Sequence, residues 1–185
     1  YGPHVRALHD DGTALGKVSF FAYGTLRYGV KPTGSNLDQD AYAEILSTPG
    51  PGVVFGPHLR SWNFDGTLLT PMSKVSFYAF ATLRYGANGR GADVDGDSYG
   101  ELLAAPGPGT MFGAQVRGFN YDGVAVTSIG KINAYVFPGS YGTTISSADI
   151  ESDGIGGYGD GYDELLVGQG PSSGLNAELR ILDYD

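Results

Sequence analysis

The stretch Phe112-Gly-Ala-Gln-Val-Arg-Gly-Phe-Asn-Tyr-Asp-Gly123 decides how the chain is organised, because close copies of it recur. Phe-Gly-Pro-His-Leu-Arg-Ser-Trp-Asn-Phe-Asp-Gly begins at Phe55, and Tyr-Gly-Pro-His-Val-Arg-Ala-Leu-His-Asp-Asp-Gly begins at Tyr1. A period of this size indicates one supersecondary unit stacked on its own copies. The sequence therefore predicts one repeat domain over residues 1–185, with approximate repeats 1–54, 55–111 and 112–174 and a partial fourth repeat, 175–185.

Each repeat has the pattern of about four short β-strands and no helical periodicity. An Asp-Gly pair at Asp11, Asp65 and Asp122 indicates a hairpin turn, since glycine readily adopts the positive φ of such turns. β-Branched and aromatic runs follow at 17–23, 74–80 and 131–137. Four strands in a unit of this length is the size of a β-propeller blade. We therefore predict an all-β fold of about three four-stranded antiparallel blades, part of a larger propeller or assembly.

An acidic loop lies at the same point of each repeat, and the second copy is the clearest. It reads Asp93-Val-Asp95-Gly-Asp97-Ser-Tyr99-Gly-Glu101, with acidic side chains at loop positions 1, 3, 5 and 9. A tightly curled loop would direct alternate side chains inward, and the carbonyl of Tyr99 would complete the shell. Calcium takes six to eight hard oxygen ligands at flexible geometry, whereas a loop without His or Cys does not suit zinc or copper. The loop is predicted to bind Ca²⁺.

The other two loops vary the same pattern. The first is Asn36-Leu-Asp-Gln-Asp-Ala-Tyr-Ala-Glu44, in which Asn36 offers a neutral oxygen. The third is Asp149–Glu164, and the interval from Glu101 to Glu164 is six residues longer than the interval from Glu44 to Glu101. We expect about three Ca²⁺ ions, one per repeat. The predicted ligands are Asn36, Asp38, Asp40, Tyr42 and Glu44; Asp93, Asp95, Asp97, Tyr99 and Glu101; and Asp149, Glu151, Asp160, Tyr162 and Glu164, with Asp153 as an alternative to one of the third set.

The distribution of charge supports cation binding. The chain carries 20 acidic and 11 basic residues, a net charge of −9, and thirteen of the acidic residues lie in the three loops. Carboxylates this close repel one another, and a bound cation removes that repulsion. The basic residues are spread through the repeats and form no patch, so nucleic-acid binding is not expected. The sequence has no apolar run of the roughly 18 residues that a membrane helix needs, and no cysteine.

The repeat resembles the FG-GAP repeats of integrin α-subunit propellers and related bacterial proteins. The residues that carry the resemblance are Asp93-Val-Asp-Gly-Asp-Ser-Tyr-Gly-Glu-Leu-Leu103, then Pro106-Gly-Pro-Gly109 and Phe112-Gly113, and in the third repeat Gly161-Tyr-Asp-Glu-Leu-Leu-Val-Gly168. The resemblance implies a β-propeller with calcium held in an inter-strand loop of each blade. Two features depart from the family: glutamate stands at positions 44, 101 and 164 where aspartate is usual, and three repeats are fewer than a propeller's six or seven blades.

Several other repeated residues are expected to be structural. Arg6, Arg60, Arg117 and Arg180 share one repeat position, which favours a regular ion pair or carbonyl contact between blades. Trp62 stands where Leu8 and Phe119 do and is expected in the core. His4 and His58 align with Gln115, which argues against a catalytic histidine. With no catalytic constellation apparent, the chain is predicted not to be an enzyme.

The sequence favours an extracellular or cell-surface calcium-binding segment with a structural, adhesion or assembly role. One alternative is a propeller that recognises a carbohydrate or protein ligand and in which calcium is only structural. Another is a non-catalytic segment of a larger secreted enzyme. Because three blades do not close a usual ring, partners are expected to be further repeats of the same protein or other copies of the chain.

Overall fold

The computed structural model describes residues 2–24, 27–81, 84–151, 159–171, 174 and 176–184. Tyr1, Asp153, Leu175 and Asp185, which carried sequence predictions, lie outside them. The described residues form an all-β fold. Its strands are β1 (His4–Leu8), β2 (Ala14–Phe21), β3 (Val30–Ser35), β4 (Glu44–Pro49), β5 (His58–Phe64), β6 (Leu69–Tyr78), β7 (Ala87–Ala92), β8 (Glu101–Pro106), β9 (Ala114–Tyr121), β10 (Val126–Phe137), β11 (Thr143–Ala148), β12 (Glu164–Gln169) and β13 (Leu179–Leu182).

These strands form several antiparallel sheets in which chain neighbours pair with each other. Sheet 1 contains β1 and β2, sheet 2 contains β3 to β6, sheet 3 contains β7 to β10, and sheet 4 contains β11 to β13. The prediction of an all-β fold made of antiparallel sheets is confirmed. No helix in the described part of the chain is long and apolar enough to span a membrane.

The sheets are out of phase with the sequence repeats. Sheet 2 takes β3 and β4 from the repeat 1–54 and β5 and β6 from the repeat 55–111, so the Phe-Gly segment lies in the middle of a sheet. The described strands therefore group as two, four, four and three, and not as three sets of four. A sequence period fixes the length of the unit but not its starting point, which depends on which strands pair. The partial fourth repeat supplies β13, which pairs with β12 as β5 pairs with β4.

Apolar side chains pack between successive sheets. Leu59 and Val75 of sheet 2 belong to one buried cluster with Leu102 and Phe119 of sheet 3. A second cluster joins sheets 3 and 4, and a third joins sheets 1 and 2 and contains Trp62, which is buried as predicted. Each sheet thus packs a face against the next sheet, so that sheets consecutive in the chain are neighbours in the fold.

The repeated arginines join one sheet to the preceding one. The Nη1 groups of Arg60, Arg117 and Arg180 each donate to a backbone carbonyl, of Ala22, Ala79 and Val136 respectively, at 2.5 Å. The guanidinium groups also lie over aromatic rings, as in Arg117 over Phe119 at 5.2 Å and Arg180 over Phe137 at 4.8 Å. The predicted carbonyl contact between repeats is confirmed.

The Pro-Gly-Pro-Gly segments and the residues that follow them form backbone hydrogen bonds with the chain that leads into the next sheet. In sheet 2, Gly52 accepts a hydrogen bond from the Tyr85 N–H at 2.9 Å, and Phe55 accepts one from Gly86 at 2.9 Å. A Cβ on Gly107 would lie 1.9 Å from the carbonyl oxygen of Tyr85, so the close approach requires glycine there. The bonds to Gly52 and Phe55 hold the chain just before β7 against the connection between β4 and β5 of the preceding sheet, and loop residues 93–101 follow β7.

Candidate metal centre

The three acidic loops occupy equivalent places in three consecutive sheets. Loop 1 (36–44) joins β3 to β4, loop 2 (93–101) joins β7 to β8, and loop 3 (149–164) joins β11 to β12. Each loop therefore connects the first two strands of its sheet. Because consecutive sheets pack side by side, each loop lies beside the next one.

Loop 1 brings three carboxylates together. Ligand oxygens of Asp38, Asp40 and Glu44 all lie within 4.8 Å of one another, an arrangement that could hold a metal ion. Side-chain oxygens curl the loop by accepting backbone N–H groups: Asn36 Oδ1 from Gln39 at 2.8 Å, and Asp40 Oδ1 from Tyr42 at 2.6 Å. Gln39 has a φ of 61°, which the tight curl requires.

Loop 2 forms the second such cluster, from Asp93, Asp95 and Glu101, with the same 4.8 Å limit. Asp93 Oδ2 accepts the N–H of Ser98 at 2.9 Å, and Asp97 Oδ1 accepts the N–H of Tyr99 at 2.8 Å. Asp97, predicted as a ligand, is exposed and is not one of the three clustered carboxylates. In the described geometry it shapes the turn, as its counterpart Asp40 does.

The two glutamates are the most unusual groups in these clusters, since both are 0% exposed. Oε2 of Glu44 accepts the N–H of Leu37 at 2.6 Å, and Oε2 of Glu101 accepts the N–H of Val94 at 2.9 Å. The other oxygen of each, Oε1, is buried without a hydrogen-bond partner. A buried ionised carboxylate is strongly unfavourable unless it is paired or bound to a metal. A cation at the centre of each cluster would supply the missing partner.

The pKa values of the two buried glutamates are raised, which reflects the cost of ionising a carboxyl that is buried near other carboxylates. Burial raises the pKa of Glu101 to about 8, and repulsion from Asp95, Asp97 and Asp93 adds to the shift. Burial also raises the pKa of Glu44, with a further contribution from Asp38 and Asp40. Without a cation these glutamates retain a proton to higher pH than an exposed carboxyl does, and a cation would displace that proton.

Loop 3 repeats the hydrogen bonds of loop 2 in spite of its insertion. Asp149 Oδ2 accepts the N–H of Gly161 at 3.0 Å, and Asp160 Oδ1 accepts the N–H of Tyr162 at 3.0 Å. Glu164 is buried, and its Oε2 accepts the N–H of Ile150 at 2.7 Å. Asp149, Asp160 and Glu164 therefore correspond to loop positions 1, 5 and 9. The carbonyl of Glu151 accepts the Asp160 N–H at 3.1 Å.

The predicted backbone ligands lie next to these turns. Tyr42, Tyr99 and Tyr162 each donate their N–H to the aspartate at loop position 5. The Tyr42 ring lies against Gly66 of the following hairpin turn, and the Tyr162 ring lies against Gly96 of loop 2. Whether the carbonyls of these tyrosines bind metal stays a prediction.

Two contacts at the clusters were not anticipated from the sequence. Asn63 Nδ2 donates to Asp38 Oδ2 at 2.6 Å, and Asp163 Oδ2 accepts the N–H of Asp93 from the neighbouring sheet at 3.0 Å. The recurrence of asparagine at positions 63 and 120 was a usable signal for the first contact. Asp163 occupies the repeat position that holds Ala43 and Gly100 in the other loops. The presence of a carboxylate in only one of the three copies was a signal for the contact between Asp163 and Asp93.

Comparison with protein-family models gives no match for the chain, and comparison with curated proteins gives none either. The assignment of the two carboxylate clusters as candidate metal sites therefore depends on their geometry and charge alone.

Proposed function

We propose that the chain is a calcium-binding repeat domain in which loops 1, 2 and 3 each hold one Ca²⁺ ion that stabilises the fold. The observation that carries this proposal is the pair of buried glutamates. Glu44 and Glu101 each have a buried oxygen without a hydrogen-bond partner, and each belongs to a cluster with two further carboxylates in equivalent loops. A solvated acidic turn would leave its carboxylates in water and would not bury an oxygen without a partner.

Calcium is the ion that best fits these donors. The described side-chain donors are carboxylate and amide oxygens, which are hard ligands, and they come from curled loops that tolerate irregular coordination. Magnesium demands near-ideal octahedral geometry and gives up its water reluctantly. In loop 1 the carboxylates of Asp38, Asp40 and Glu44 would hold the ion, and in loop 2 those of Asp93, Asp95 and Glu101. A bound Ca²⁺ would neutralise the repulsion among them.

We further propose that the sheets are blades of an FG-GAP-like β-propeller. Sheets 2 and 3 are four-stranded, antiparallel and consecutive, and each carries its acidic loop between its first and second strands. A structural calcium in each blade suits a protein that works outside the cell, where extracellular modules bind calcium with dissociation constants of about 10⁻⁴ to 10⁻³ M. Adhesion or assembly is the role that this arrangement best serves.

A second candidate function, carbohydrate recognition, is favoured by one repeated surface feature. Phe21, Tyr78 and Tyr135 share a repeat position at the outer strands β2, β6 and β10, and all three rings are exposed. His58 stacks on Tyr78 at 4.7 Å and contacts Ser76 Oγ at 3.1 Å. An exposed ring beside polar groups suits a sugar face. Glycan-array binding that is lost in Tyr78→Ala but retained in Asp40→Asn would support this candidate.

Calcium titration followed by thermal unfolding tests the leading proposal. At about 10 mM, an ion that binds with a dissociation constant of about 10⁻³ to 10⁻⁴ M stabilises a protein by roughly 1.4 to 2.7 kcal/mol per site. For a chain of this size we expect millimolar Ca²⁺ to raise the Tm by about 5 °C or more relative to chelator. Magnesium at the same concentration should give a much smaller rise.

Glu101→Gln is the matched variant, because it keeps the shape of the buried side chain and removes the charge. We expect it to lose part of the calcium-dependent rise in Tm while remaining folded. An equal Tm in calcium and in chelator for the unmodified protein would refute the proposal.

A further inference from the structure

A chain of hydrogen-bonded peptide groups links the acidic loops. The peptide group between Asn36 and Leu37 makes two bonds at once. Its N–H donates to Glu44 Oε2 at 2.6 Å within loop 1, and its carbonyl accepts the N–H of Gly100 from loop 2 at 2.6 Å. Gly100 directly precedes Glu101, the buried glutamate of loop 2. One peptide group therefore links the carboxylate of Glu44 to the backbone of the residue that precedes Glu101.

The next junction repeats this arrangement. The peptide group between Asp93 and Val94 donates to Glu101 Oε2 at 2.9 Å and accepts the N–H of Asp163 at 2.6 Å. Asp163 directly precedes Glu164, the buried glutamate of loop 3. We call these two peptide groups, with the N–H donors of Gly100 and Asp163, the peptide relay.

Side chains reinforce both junctions of the peptide relay. Gln39 Nε2 of loop 1 donates to the carbonyl of Asp97 in loop 2 at 3.0 Å. Asp163 Oδ2 accepts the N–H of Asp93 at 3.0 Å, so Asp163 holds both polar groups of that residue's backbone. The hydrogen bonds between neighbouring loops therefore involve the backbone of Asp93 and Asp97, two residues predicted as metal ligands.

We propose that the metal sites bind their ions with positive coupling through the peptide relay. This inference rests on the proposed calcium function. An ion in loop 2 fixes Glu101 and with it the N–H of Gly100, which holds the peptide group that orients Glu44. Loop 1 is then ordered before its own ion arrives, so the second ion meets a smaller loss of conformational entropy. Repulsion between bound cations opposes this coupling but is screened by salt.

Reciprocal knock-outs read by NMR test the coupling. In a calcium titration of the whole chain, the backbone amide resonances of Tyr42 and Tyr99, which lie outside the peptide relay, report loops 1 and 2 separately. We expect Glu44→Gln to weaken calcium binding at loop 2 by about fivefold or more, and Glu101→Gln to weaken binding at loop 1 by the same factor, because coupling free energies are reciprocal. Asp40→Asn serves as a second knock-out of loop 1 if Glu44→Gln does not fold.

Two controls separate the peptide relay from long-range charge effects. Asp65→Asn removes one charge from the exposed hairpin whose Gly66 lies beside the Tyr42 ring, and Asp65 is not itself a proposed ligand. The substitution should change loop 2 affinity by less than about twofold. A coupling carried by the peptide relay should persist in about 0.5 M KCl, where Coulomb effects between exposed charges are largely screened.

The outcomes distinguish the two proposals. Calcium binding at both loops with unchanged affinity in the cross-site variants would overturn the coupling and leave the calcium function standing. A coupling that disappears in high salt, or that Asp65→Asn reproduces, would also overturn it. Absence of any calcium-dependent shift in the unmodified protein would refute the calcium function itself.

Discussion

Glu101 illustrates at the scale of one residue how a fold can hold an unfavourable group in readiness for a ligand. Its side chain is fully buried, one oxygen lacks a hydrogen-bond partner, and three aspartates lie near enough to raise its pKa further. Such a group destabilises the metal-free protein once it ionises. The same group binds a cation strongly, because the desolvation of the carboxylate has already taken place on folding.

The metal-free protein should lose stability as the pH rises from about 5 to 8. The pKa of Glu101 is about 8 in the fold against the ordinary glutamate value of 4.5, so between these values the folded state holds the extra proton and the unfolded state does not. The free energy of unfolding therefore falls with pH, by at most about 1.4 kcal/mol per pH unit from this residue. Urea unfolding in chelated buffer at several pH values measures the slope.

Glu101→Gln provides the control for this pH dependence, since glutamine does not ionise. The variant should show a flatter profile than the unmodified protein between pH 5 and 8. The hairpin aspartates Asp11, Asp65 and Asp122 do not interfere, because hydrogen bonds lower their pKa values and their effect on stability lies below pH 4. Stability that rises with pH across this window would contradict the account of Glu101.

At the scale of the element, the short connections decide how closely the chain segments at the end of a strand pair, such as β7 and β8, approach each other. Gly107 lies in the Pro-Gly-Pro-Gly connection that follows β8, and its Cα faces the carbonyl of Tyr85. Backbone carbonyls cannot rotate away as a side chain can. The connection therefore tolerates only a hydrogen atom at this point.

Gly107→Ala is expected to destabilise the protein by about 3 kcal/mol or more, because the new methyl group would overlap a fixed carbonyl oxygen. Gly130→Ala is the matched control: it lies in β10 with nothing within 4 Å of an added Cβ, so it should change stability by less than about 1 kcal/mol. Chemical denaturation of the two variants measures the difference. Equal stability of the two would show that the connection is looser than the structure indicates.

At the scale of the whole molecule, an apolar cluster and an arginine that reaches a carbonyl hold each sheet to the next, and the peptide relay also links sheet 2 to sheet 3 and sheet 3 to sheet 4. Arg117 bridges sheet 3 to the Ala79 carbonyl beyond β6 of sheet 2 and lies over the rings of Phe80 and Phe119. Stability then depends on interfaces between neighbours, as in other repeat proteins.

Arg117→Met should lower the free energy of unfolding by about 2 kcal/mol, since it keeps much of the apolar volume but leaves the Ala79 carbonyl without its charged donor. Lys74→Met, at an exposed position of β6, is the control and should have an effect within about 0.5 kcal/mol. Thermal and urea unfolding compare the two variants. A small effect of Arg117→Met would mean that the apolar clusters alone hold the sheets together.

The sequence by itself determined the features that depend on local spacing. The Asp-Gly turns, the strand count per repeat and the alternation of acidic side chains in Asp93–Glu101 are all local, because turn geometry and strand periodicity act over a few residues. The repeat also identified Arg60, Arg117 and Arg180 as one contact made three times.

Only the tertiary structure decided the properties that depend on what lies beside a residue. The sequence marked Asp97 and Glu101 equally as ligands, yet Asp97 is exposed in a turn and Glu101 is fully buried. It also could not fix the phase of the sheets, the contact between Asp163 and Asp93, or the approach of Gly100 to Asn36. Burial, desolvation and contacts between sheets come from chain segments some 60 residues apart, and no spacing within one repeat contains that information.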